Sequence, residues 1–123
     1  MKIAITAENS NGMESIVAQH FGHAPHFIVV TVENGKEKNV TSIANPFSAG
    51  HQPGEIPGFI RSLGATVILS GGMGGRAIEF FEQAGISVAT GARGSVKQAL
   101  ETYLGGQLSS AAPCDESVAH GHG

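Results

Sequence analysis

The run Thr66-Val67-Ile68-Leu69-Ser70 ends abruptly in Gly71-Gly72-Met73-Gly74-Gly75-Arg76, and this junction constrains the fold more than any other stretch. A β-branched apolar run of that length fits a buried strand. Four glycines within five residues break it, and Ile78, Phe81 and Ala84 follow on one helical face. The stretch reads as strand, tight turn, helix. Glycine tolerates positive φ and lets a backbone or a ligand approach closely. The helix N-terminus also leaves unpaired N–H groups at the strand's carboxyl end, where an anion can sit. Glycines serving only a tight turn and close helix packing are the competing reading.

Gly72-Met73-Gly74-Gly75-Arg76-Ala77 matches the dinucleotide pattern G-x-G-x-x-G/A. That pattern needs an acid after the next strand to hold a ribose. The next strand, Ile86 to Ala89, leads into Thr90-Gly91-Ala92 with no carboxylate, which argues against a nicotinamide site. No Lys-Ser/Thr follows the glycines, so the turn is not a Walker A loop either.

Lys2 to Thr6 forms a first strand, and Ala7 to Gly22 reads mainly as loop. His26 to Val32 is a second strand. Asn34-Gly35 signals a hairpin, and Glu37 to Ile43 returns as the third strand. After a polar loop from Asn45 to Gly54, the residues Ile56, Phe59, Ile60 and Leu63 recur at helical spacing. Pro57 sits in the first turn of that helix and Gly64 ends it. Ser95 and Gln98 make a capping-box pattern before a last helix lined by Val96, Ala99, Leu100, Tyr103 and Leu104. A hairpin followed by alternating helices and strands implies a three-layer α/β/α domain with a mixed five-stranded sheet. The domain is expected to span 1–108, with 109–123 a mobile tail.

A chain of 123 residues is one domain by length, and with 41% apolar residues it can bury a real core. Its seven Lys and Arg are scattered and the formal net charge is −3, so no nucleic-acid surface is expected. No apolar run is long enough for a membrane span, and Met1-Lys2 leads directly into the first strand. Cys114 is the sole cysteine, so no internal disulfide forms. A cytoplasmic monomer is the simple expectation.

The histidines carry the clearest chemical signal. His20, His23 and His26 share one stretch, His51 stands in the second loop, and His120 and His122 close the sequence. Imidazole is the commonest protein metal ligand, and Cys114 adds one soft thiolate. A histidine in a polar loop is usually just solvated, and His26, opening an apolar strand, reads as structural. The tail has no zinc-finger spacing. Catalytic machinery is thin: there is no nucleophile elbow and no triad pattern. The carboxylates lie outside the first strand and the glycine-turn strand, where a two-metal nuclease would need them.

His20-Phe21-Gly22-His23-Ala24-Pro25-His26-Phe27 resembles the FG-x-A-x-x-F signature of the dinitrogenase iron–molybdenum cofactor biosynthesis family. Gly71-Gly72-Met73-Gly74 followed by a helix, then Ala84-Gly85-Ile86, resembles that family's second signature. The last helix, with Gly106 and Leu108 beyond it, is similar to the family's usual end. Agreement in order and spacing runs from the first strand to Leu108. The resemblance implies a ribonuclease H-like fold without nuclease acids, and a small carrier of iron–sulfur precursors of the nitrogenase cofactor. Motif positions fall on Phe21, Gly22, Ala24, Phe27, Gly71, Gly72 and Gly74, while His23 occupies a variable position. His51, Cys114, His120 and His122 are similar to a subset of the family with a loop histidine and a Cys/His tail.

The expected function is therefore non-catalytic carriage of an iron–sulfur or iron–molybdenum cluster, its precursor, or a divalent metal ion. Metal-cluster donor and acceptor proteins would be the partners. His20, His23, His51, Cys114, His120 and His122 are the candidate ligands. Phe21, Gly22, Gly71, Gly72, Met73, Gly74 and Arg76 would contact the cargo. One cysteine is too few for a four-thiolate cluster site in one chain. Two alternatives stay open: a small-anion or nucleotide binder at Gly71 to Arg76, with Arg76 adding a charge-assisted contact, and a partner-binding domain without ligand.

Overall fold

The computed structural model describes residues 1–47 and 54–108. Five strands, β1 (Lys2–Ala7), β2 (His26–Glu33), β3 (Lys36–Ala44), β4 (Val67–Leu69) and β5 (Ser87–Ala89), form one sheet in the order β3-β2-β1-β4-β5. β1 is parallel to β4, and β4 to β5, while β2 is antiparallel to both β1 and β3. This is the mixed five-stranded, ribonuclease H-like sheet that the sequence leads one to expect. Asn34 and Gly35 have φ of 54° and 76°, so the hairpin turn has the doubly positive φ that matches strand twist.

Strand alternation sends side chains to two cores. Ile3, Ile5, Ile28, Val30 and Leu69 face α3 (Val96–Leu104), where Val96, Ala99 and Leu100 are buried. Ala4, Phe27, Ile68 and Val88 face α1 (Glu55–Ser62) and α2 (Gly75–Gln83), which contribute Ile56, Ile60, Ile78 and Phe81. Three layers result. Burying one such side chain is worth about 1.5–3 kcal/mol, so these interlocked faces supply the main drive to fold. α2 and α3 each end in a left-handed glycine, Gly85 and Gly106. The next amide closes back onto Phe81 O (2.9 Å) in one case and Thr102 O (3.0 Å) in the other.

The stretch from Ala7 to Gly22 is more ordered than its sequence suggests. It contains 3-10 turns at Gly12–Glu14 and Phe21–His23, and isolated bridges join Ala7 to Val17, Ile16 to Ser95 and His20 to Gly72. Val17 and Ala18 are buried. No local periodicity announces this, because each contact is made to a different, distant element. Among the described residues, no helix is long and apolar enough to cross a membrane. The expected tail from Ser109 onward lies outside the described residues.

Candidate functional site at the carboxyl rim of the sheet

Because β1, β3, β4 and β5 run one way and β2 the other, one end of the sheet gathers several connections. The 8–25 connection, the start of the loop after Ala44, the glycine turn and the 90–95 loop all meet there. The His20 segment is tied directly to the glycine turn. Gly71 N donates to Ala18 O (3.2 Å), Phe21 N donates to Gly72 O (3.1 Å), and His20 bridges to Gly72. Beneath them lie two fully buried hydroxyls at the ends of β1 and β4. Ser70 Oγ donates to Gly72 O (3.1 Å), and Thr6 Oγ1 lies 3.2 Å from Ser70 Oγ and 3.3 Å from Ala18 O. Thr6 and Ser70 therefore pin the loop to the turn. Sequence reasoning missed this pair, which has no signal beyond a hydroxyl residue at the end of each apolar strand.

Of the reasons its sequence offers for the glycine turn, close backbone approach applies and positive φ does not. None of Gly71, Gly72, Gly74 and Gly75 has positive φ. A Cβ on Gly71 would instead lie 2.7 Å from Gln19 Cα and 2.8 Å from Gln19 O, so a hydrogen is required where the 18–19 backbone crosses. Gly71 serves chain packing, and its N–H is already engaged. Gly74 is open, with nothing within 4 Å of the place a methyl group would take, and it caps α2 with no side-chain hydrogen bond. Met73 is 2% exposed and belongs to the core under α1 and α2.

Of the six candidate ligands, His20 is exposed at the rim beside Gly72, and His23 lies in the 3-10 turn three residues on. His51, Cys114, His120 and His122 lie outside the described residues. Among the described residues, no three His, Cys, Asp or Glu side chains come together to hold a metal. His26 opens β2, with its Nδ1 buried and without a hydrogen-bond partner. Gly22 is half-buried, and Phe21 is 7% exposed with its ring edge-on to Phe81, 5.2 Å between centroids at 78°. Arg76, in the first turn of α2, is exposed, and its guanidinium lies 5.9 Å from the Phe80 ring centroid. The carboxyl ends of β1 and β4 thus carry hydroxyls, with His20 on an adjoining loop and Arg76 in the first turn of α2. Such a rim suits a polarisable or anionic guest better than a pair of magnesium ions.

A family model described as dinitrogenase iron–molybdenum cofactor matches residues 1–106. An uncharacterized protein of Methanocaldococcus jannaschii is 31% identical over 110 residues, covering 88% of this chain and 89% of that protein. The crystal structure of PH0822 is similar with a TM-score of 0.79 and 40% identity, covering 90% of this chain and 96% of that one. The apo form of the orange protein of Desulfovibrio gigas gives a TM-score of 0.77 and 30% identity, covering 91% and 93%.

Proposed function

The chain belongs to the dinitrogenase iron–molybdenum cofactor family, and from that premise we propose that it is a non-catalytic carrier of an iron–sulfur or iron–molybdenum cluster or its precursor. The observation that carries this reading is the tie between the His20 segment and the glycine turn at the carboxyl rim, with hydroxyls rather than acids at the ends of β1 and β4. That rim is where open α/β sheets bind ligands. In this reading His23 and His51 ligate the metal, His20 is a third ligand, and the turn from Gly72 to Gly75 faces the anionic part of the cargo. Cys114, His120 or His122 closes over it. The cargo brings its own sulfides, which answers the shortage of thiolates. Donor and acceptor proteins for the cluster are the partners, and the carrier works as a cytoplasmic monomer.

Anaerobic titration with iron and sulfide, with metal and sulfide quantified, tests the reading. We expect micromolar or tighter binding, roughly −8 kcal/mol. His23→Ala and His51→Ala should each weaken it about tenfold or more, roughly 1.4 kcal/mol. Ligation needs neutral imidazole and metal binding releases protons, so binding should weaken on acidification. If neither cluster precursors nor divalent metals bind, the carrier reading is wrong. If both alanine variants bind like the parent, its placement is wrong.

A further inference from the structure

A cavity of about 180 Å³ lies between the first turns of α1 and α2. Phe21, Ile56, Pro57, Ala77 and Phe80 make its apolar wall, and Arg76 stands with them as the only ionisable lining residue among the described residues. We propose that this cavity binds a small organic anion with a planar apolar body, of the size of an aromatic monocarboxylate, whose carboxylate pairs with Arg76. Among the described residues the lining contains none of the proposed metal ligands, although Phe21 and Arg76 are also expected cargo contacts, and the proposal does not rest on cluster binding.

Size sets the first limit. A dry engineered cavity of about 150 Å³ accepts benzene, so this one admits a single ring with one small polar substituent. Sites for drug-sized ligands and cofactors run from about 300 to 1,000 Å³, so this cavity holds only a small body or one end of a larger ligand. The walls are fixed. Ile56 is fully buried, and Phe21 is held edge-on by Phe81. The cavity persists because two wall positions, Pro57 and Ala77, carry short side chains that do not reach across it.

Charge sets the second limit. The Arg76 guanidinium lies against the Phe80 ring at 5.9 Å, an arrangement that orients the planar donor group without using its N–H bonds. The salt bridge found among the described residues joins Lys38 to Glu33, remote in sequence from Arg76. Glu55, beside the cavity in sequence, is not part of its lining. Both helices begin here on glycine caps, Gly54 and Gly74, that offer no side-chain acceptor, and Gly54 itself lines the cavity. The positive end of the α2 dipole, with no acid in its first turn, therefore adds to Arg76, while Glu55 offsets that of α1. An apolar chamber with a guanidinium at its edge selects a ligand that needs both, because a carboxylate pairs bidentately with arginine while its ring fills the void.

The test is an amide NMR titration of the full chain with benzoate, benzamide and inorganic phosphate. Benzoate should saturate with a Kd of about 1 mM or tighter, shifting the amides of Arg76 to Phe80 and of Ile56. Benzamide and phosphate should each bind about tenfold more weakly or worse. Arg76→Gln should weaken benzoate by a similar factor and leave benzamide unchanged. Ala77→Leu should fill the chamber and remove binding of both aromatic probes. Because these probes contain no metal, the outcome is separable from cluster loading. Equal affinity for benzamide would reduce the site to an apolar hole. Equal affinity for phosphate would reduce it to a bare anion contact. Either result, an unchanged Arg76→Gln variant, or no saturable shift overturns the proposal. Should Ala77→Leu fail to fold, the Arg76→Gln comparison still decides.

Discussion

Gly71 and Gly74 stand three residues apart in the same turn and serve unrelated purposes. At Gly71 the 18–19 backbone occupies the place of a side chain, with Gln19 Cα 2.7 Å from a Cβ there. Backbone cannot yield as a flexible side chain can, so Gly71→Ala must push the His20 segment away from the turn. We expect a loss of about 1–3 kcal/mol, the usual range for overpacking, read as a lower midpoint in thermal or denaturant unfolding. Gly74 has φ −68° and ψ 154°, which suits an N-cap serine, and open space around it. Gly74→Ser should therefore be tolerated or slightly stabilising by a few tenths of a kcal/mol. Equal destabilisation by both changes would contradict this account. The density of glycines points to close approach, and that much is legible in the sequence. What approaches is not, because Gln19 is distant in sequence and its contact with Gly71 leaves no mark on either residue type.

Elements defined by local chemistry are the easiest to read. Ser95 and Gln98 form the full capping box: Gln98 N donates to Ser95 Oγ (3.1 Å) and Ser95 N donates to Gln98 Oε1 (3.0 Å). Both bonds depend only on residues three apart, which is why spacing alone assigns the start of α3. Ser95→Ala should cost about 1 kcal/mol of global stability, measured by denaturant unfolding. Ser95 also bridges to Ile16 and Gly94 O accepts from Val17 N (2.9 Å), so amide exchange should quicken at Val17 as well as in the first turn of α3. A loss confined to α3 would show that the 8–25 connection does not depend on that cap. The same connection illustrates the opposite case. Its sequence reads as loop because its order comes from bridges to β1, the glycine turn and the start of α3, none of which imposes a period on the sequence. The cavity wall is partly legible. Arg76 and Phe80 are four apart on one helix, a spacing that brings side chains together, but their opposition to Ile56 and Pro57 is a property of the packed layers.

At the scale of the whole molecule, strand direction separates the two groups of candidate ligands. The His20 segment and the glycine turn lie at the carboxyl rim, and α3 starts there, where Gly94 meets Val17. α3 then runs to the other end of the sheet, since Leu104 shares a groove with Gly35 and Lys36 of the β2–β3 hairpin turn. Leu108, four residues beyond the end of α3, packs against the same core. Any tail ligand must therefore return the length of the sheet to reach the rim. β1 has six residues, about 20 Å at roughly 3.3 Å per residue. A fully extended chain covers at most about 3.6 Å per residue, so Cys114 lies within about 22 Å of Leu108, whereas His120 can lie about 43 Å away. Cys114 has almost no slack for that path, and His120 and His122 have ample slack. If the tail contributes to a rim site in its own chain, the histidines are its ligands. In anaerobic titration, Cys114→Ala should then bind as the parent does, within about twofold. Joint replacement of His120 and His122 by alanine should weaken binding about threefold, less than the tenfold expected for His23→Ala. Removal of the chain after Leu108 should match the double histidine variant. Loss of binding on Cys114→Ala with the histidine pair dispensable would place the tail's contribution away from its own rim, and would overturn closure of the site within one chain.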